Sequence, residues 1–126
     1  MKRTRVCVAI IGLVVLAACS STGSESFEAV EVGELKACHR FDDVYLATQP
    51  TEADLRAARD DLGLKTVINL RFPEEVADIG ERAMVEGLGL EYVNVPFRAP
   101  ETLTDAVFEE LRAVLRDRDR RPMVVH

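Results

Sequence analysis

From Val44 onward the apolar residues switch between two spacings. Val44-Tyr45-Leu46-Ala47 is a short β-type run, closed by Gln49-Pro50. Thr51 is placed to cap a helix over Glu52 to Leu62, with Asp54 favouring its first turn and Gly63 stopping it. Leu55, Ala58 and Leu62 recur at helical spacing within it. Thr66-Val67-Ile68-Asn69-Leu70 has the composition of a buried strand. A loop at Arg71-Phe72-Pro73 leads to a second helical stretch, Glu74 to Glu86, with Val76, Ile79, Ala83 and Met84 on one side. Gly87-Leu88-Gly89 breaks it, and Leu90 to Val95 is the next strand, ended by Pro96. Thr104 can cap a third helix, Asp105 to Leu115, with Val107, Leu111, Val114 and Leu115 apolar. Asp117 to Arg121 is a charged turn, and Met123-Val124-Val125 opens a last strand. Strands alternating with helices of about ten residues predict βαβ units, hence an α/β fold with a mostly parallel sheet, flanking helices and right-handed crossovers.

The N-terminus follows another rule. Lys2, Arg3 and Arg5 precede an eleven-residue apolar run, Val6 to Leu16, and then Leu16-Ala17-Ala18-Cys19. That is the layout of a secretory signal, and the run is short of the about 20 residues that a spanning helix needs. Leu16-Ala17-Ala18-Cys19 resembles the bacterial lipobox. The resemblance implies cleavage after Ala18, acylation of the Cys19 thiol, and a protein anchored by lipid in the cell envelope, facing the periplasm or the exterior. Ser20 rather than Asp after the cysteine leans towards the outer membrane in a Gram-negative cell. Ser20 to Glu34 is small, polar and acidic, and reads as a flexible tether. The expected organisation is a signal peptide over 1–18, tether and domain entry over 19–40, and an α/β domain over 41–126.

Charge removes one class of partner. The chain holds 22 acidic against 16 basic residues, and all the acids lie after the leader while three of the bases leave with it. So acidic a domain repels nucleic acid. Cysteine chemistry is also sparse. Cys7 leaves with the leader and Cys19 carries lipid, so Cys38 stands alone and no disulfide framework exists. Cys38 beside His39 reads as a structural pair rather than a metal or thiol site, because His39 and His126 are the only imidazoles. No metal or cofactor is expected. Gly87-Leu88-Gly89 follows a helix and lacks a third glycine, so it is no dinucleotide loop.

Ligands of open α/β sheets bind at the carboxyl ends of the strands. Those ends are Thr48-Gln49, Arg71-Phe72, Pro96-Phe97-Arg98 and His126. Arg71 directly follows a buried strand and is the candidate anion-binding residue; Arg98 is a weaker one. The chain reaches His126 inside or just past an apolar strand, with no covering helix after it, although a buried parallel strand needs cover on both faces. The fold is therefore expected to be C-terminally incomplete.

Four segments resemble the bacterial cysteine-dependent phosphatases of the dual-specificity type, more narrowly the phosphatase-like domain found beside NAD kinase or β-lactamase-hydrolase-like domains. They are Val44-Tyr45-Leu46-Ala47-Thr48-Gln49-Pro50-Thr51, Lys65 to Arg71 with Pro73-Glu74-Glu75, Gly89 to Pro96, and Arg121-Pro122-Met123-Val124-Val125-His126. The resemblance runs from about Phe41 to His126 and implies a three-layer fold. It also implies a phosphorylated small molecule or protein as substrate and a signature of histidine, cysteine, five residues and arginine. His126 matches that histidine. The nucleophile, the phosphate loop and its arginine would follow it, so no catalytic nucleophile lies within the chain. Such phosphatases place an aspartic general acid in the loop after the third strand; here that loop offers Glu101, while Asp105 starts the next helix. A rhodanese-like sulfurtransferase and a non-catalytic envelope module that binds an anion or a protein are the rival readings.

Overall fold

The computed structural model of the chain describes residues 26–35 and 38–126. The signal over 1–18 and the lipid site at Cys19 lie outside the described residues. Among the described residues no helix is long and apolar enough to cross a membrane.

The strands are β1 (Glu28–Ala29), β2 (His39–Phe41), β3 (Val44–Leu46), β4 (Thr66–Asn69), β5 (Glu91–Asn94) and β6 (Met123–Val125). The helices are α1 (Glu52–Leu62), α2 (Glu81–Gly87) and α3 (Asp105–Arg116). One six-stranded sheet has the order β1-β2-β3-β6-β4-β5. The four strands from β3 to β5 run parallel to their neighbours, and β1 and β2 add antiparallel to the β3 edge. The expected α/β fold with a mostly parallel sheet is what forms.

The α1 prediction is met to the residue. The Thr51 hydroxyl accepts from the Asp54 amide at 3.2 Å, and Asp54 Oδ2 accepts from the Thr51 amide at 2.9 Å. This reciprocal box satisfies two amides that no helical carbonyl can reach. Gly63, at φ 68°, closes the other end in the left-handed conformation that glycine adopts without strain.

Two expectations are corrected. The first is the tether. Glu28 and Ala29 pair with β2, and Val32, Leu35 and Cys38 are buried in the core. The apolar residues scattered through that acidic stretch are spaced too irregularly to signal a strand, yet they cover the α1 side of the sheet. Asp54 fastens the segment by accepting from the Glu34 amide at 3.2 Å. The second is the helix over Glu74 to Glu86. Two 3₁₀ turns, Pro73–Glu75 and Ala77–Ile79, take its first half, and Gly80 at φ 62° resets the phase before α2. The buried positions of α2 then become Glu81 and Val85, with Leu88 buried at its C-cap. Ile79, expected inside, is 46% exposed.

The layers are unequal. On one face Leu55 and Ala58 of α1 and Val85 of α2 pack with Tyr45, Val67 and Val124 of the sheet. On the other, Ile68, Met123 and Val125 face α3, whose Leu111, Val114 and Leu115 are only partly covered.

Candidate functional site

The parallel strands β3, β6, β4 and β5 bring their carboxyl ends to one edge. Residues at or just past each end therefore meet there: Gln49, His126, Asn69 with Arg71, and Asn94. His126 continues the central strand; its amide donates to Ile68 O at 3.1 Å, and its carbonyl accepts from the Leu70 amide at 2.8 Å. Arg71 thus leaves the sheet beside His126.

The first turn of α2 sends a carboxylate into this edge. The Glu81 side chain is fully buried, and the His126 ring is 1% exposed. Four donors surround the carboxylate. Gln49 Nε2 donates to Oε1 at 2.9 Å, and His126 Nε2 lies 2.6 Å from the same oxygen. Asn69 Nδ2 donates to Oε2 at 2.5 Å, and the Tyr92 hydroxyl lies 3.4 Å from it. Burial pushes the Glu81 carboxyl up. The hydrogen bond and positive charge of His126, with Gln49 and Asn69, outweigh that and hold it below the ordinary carboxylate range. Glu81 is therefore ionised near neutral pH. Both ring nitrogens of His126 are buried, and neither makes a hydrogen bond of good geometry, so the contact with Glu81 is an ion pair by distance. Burial and the Glu81 charge push the Tyr92 phenol up.

Asparagines shape the backbone around Arg71. Asn69 Oδ1 accepts from the Arg71 amide at 2.7 Å, and Asn94 Nδ2 donates to both Asn69 O and Arg71 O at 2.9 Å. The turn is thus pinned from β4 and β5 while the Arg71 side chain is exposed. That suits an anion site: a fixed backbone and an accessible guanidinium.

The other candidates fare differently. Arg98 is engaged elsewhere, 3.4 Å from Glu75 and over the Phe72 ring at 5.6 Å. Glu101 sits exposed in the turn before α3. Cys38 is buried in the core, and burial pushes its thiol up, which suits a structural residue and not a nucleophile. His39 points outward on β2. Among the described residues no cluster could hold a metal ion. Sequence reasoning missed Glu81, Asn69, Gln49 and Tyr92 as a unit. One signal was present: Glu81, Val85 and Leu88 stand at i, i+4 and i+7, which places the carboxylate on the apolar side of α2.

No family model matches the sequence, and no curated protein matches it. Solved structures do resemble it. A DUF442 protein from Shewanella putrefaciens CN-32, provisionally named a phosphatase, superposes with a TM-score of 0.63 at 20% identity, over 74% of this chain and 62% of that one. The core catalytic domain of the yeast PP-IP phosphatase Siw14, solved with citrate, gives 0.52 at 14% identity, over 67% and 50%. A provisionally named phosphatase from Neisseria meningitidis Z2491 gives 0.51 at 21% identity, over 65% and 59%. The chain therefore spans less than two thirds of each of these structures. At such identities the likeness establishes the architecture, and the chain has the α/β fold of these phosphatase structures.

Proposed function

We propose that the chain is the N-terminal part of a phosphatase-like domain, carried in the cell envelope on a lipid at Cys19, whose complete form hydrolyses phosphate monoesters through a cysteine that follows His126. The observation that carries this reading is the place of His126. It ends the central parallel strand, at the edge where Arg71 is exposed, in a fold shared with phosphatase structures. The 126 residues alone supply a scaffold and a cation but no nucleophile, and are expected to be inactive.

In the complete form the thiolate attacks phosphorus and the bond from phosphorus to the ester oxygen breaks. Glu101 is the carboxyl available to give that oxygen its proton. Water then attacks the phosphocysteine, releasing inorganic phosphate and regenerating the thiolate. Arg71 attracts the phosphate dianion, and the backbone amides of the missing loop hold it at a helix N-terminus. No cofactor enters these steps. The substrate is a phosphorylated small molecule or protein; the acidic domain disfavours nucleic acid.

The test is p-nitrophenyl phosphate hydrolysis by the complete form lacking residues 1–18, beside the same protein with serine for the proposed nucleophile. Turnover lost in the serine form supports the proposal, and no turnover in either sinks it. Transfer of sulfur from thiosulfate to cyanide would instead favour the sulfurtransferase reading. Anchoring is tested separately: Cys19→Ser is expected to abolish acyl labelling and release the protein from membranes.

A further inference from the structure

Glu81 has no part in the chemistry above, yet it is the most enclosed ionised group at the site. Burying a carboxylate is costly unless its lone pairs are met. Here the cost is met by residues from four places in the chain: Gln49 after β3, Asn69 at the end of β4, Tyr92 in β5 and His126 after β6. A core filled by leucine would be cheaper, and what the carboxylate adds is a fixed acceptor 2.6 Å from one named nitrogen.

We propose that Glu81 is a positioning residue: seated by Gln49, Asn69 and Tyr92, it holds the His126 ring by a proton on Nε2 across the 2.6 Å contact and so fixes the imidazole at the end of β6. A carboxylate that fixes a histidine's orientation and protonated nitrogen is a recurrent device where the imidazole serves an adjacent reacting group. Asn69 joins the two halves of the site, since its Nδ2 donates to Glu81 while its Oδ1 accepts from the Arg71 amide. The carboxylate that orients His126 is thereby coupled to the turn that presents Arg71. The consequence for phosphoryl transfer rests on the phosphatase reading; the hold on the ring does not.

The amide of Glu81→Gln cannot reproduce the seat. It has one acceptor oxygen where the carboxylate has two, and its NH₂ must face a donor from either Gln49 or Asn69. The experiment is nitrogen NMR of the full chain in detergent, labelled with ¹⁵N-histidine, with His39→Gln assigning the two rings. In the unsubstituted chain the His126 Nε2 signal is expected to stay fully pyrrole-type through neutral pH. In Glu81→Gln it is expected to move towards the pyridine-type position, with Glu81→Asp retaining part of the hold. Should Glu81→Gln fail to fold, Gln49→Ala removes one support of the same oxygen and is expected to move the signal by a smaller amount. An Nε2 signal already averaged in the unsubstituted chain, or unmoved by both variants, overturns the proposal. In the complete form Glu81→Gln is expected to lower kcat roughly ten- to hundred-fold with little change in KM, and an unchanged kcat overturns the positioning role. If that form hydrolyses no phosphate ester, the phosphatase reading falls, and the nitrogen signals alone decide the claim about Glu81.

Discussion

The two faces of the sheet are built from similar residues and end in different states. On the α1–α2 face, Leu55, Ala58, Val67 and Val85 are fully buried. On the α3 face no residue of the helix is buried, Phe108 is 53% exposed, and Phe27, Phe41 and Leu46 stand at the surface. Between α3 and the β2–β3 edge runs an apolar groove of about 540 Å³ lined by Phe41, Leu46, Leu111 and Val125. Among the described residues, two helices and the segment from β1 to β2 cover the first face, whereas α3 alone covers the second. The contrast between α1 and α3, both amphipathic, teaches that apolar patterning yields burial only where a second layer is continuous. It also assigns most of the chain's stability to the α1–α2 side.

Substitutions can break or sharpen this contrast. The largest effect is expected where the first face meets the strand ends. Glu81→Ala removes one partner of a buried charged pair and should cost about 3–5 kcal/mol in urea unfolding. The same residue gives stability a pH dependence. Its folded pKa is depressed, so its contribution is present above the ordinary value of 4.5 and is lost as pH falls through the lower folded value. Glu81→Gln should flatten that acid limb, and an unchanged limb would remove Glu81 as its source.

Next come paired leucines. Leu55→Ala, on the sealed face, should cost about 2–5 kcal/mol. Leu111→Ala, half-buried on the open face, should cost about 1 kcal/mol. Equal losses would erase the distinction between the faces. Asp54→Ala removes both the capping box and the seat of Glu34, with an expected loss of about 1–2 kcal/mol. The smallest effect belongs to Phe108→Ser, within about 0.5 kcal/mol because the ring is already largely in water. It should still reduce binding of a hydrophobic dye to the groove, and a large destabilisation would show that the open face is sealed in solution.

What could be read in the sequence follows the strength of local signals. The bounds of α1 were legible because Thr51, Asp54 and Gly63 mark them by backbone chemistry. β4 and β6 were legible as uninterrupted β-branched and apolar runs between turn residues. β1 and β2 were not, since strands of two and three exposed residues carry no alternation that exceeds noise. α2 was misphased because Gly80 shifts the helix by a left-handed residue, which a periodicity count passes over. The same shift hid Glu81, whose burial depends on partners on or beside four different strands. The rule that parallel strands gather their carboxyl ends placed Arg71 and His126 at one edge, and the sheet order sets their strands side by side, while the part given to His126 came from the resemblance. Glu101 remains a candidate by its loop alone.

The most direct test of the central claim is the reading frame immediately downstream of the His126 codon. The expected result is a cysteine as the next residue, followed by five residues and an arginine in frame, which would supply the nucleophile and the phosphate loop at the edge already formed by His126 and Arg71. A stop codon at that point, or a continuation without the cysteine and arginine, would contradict it.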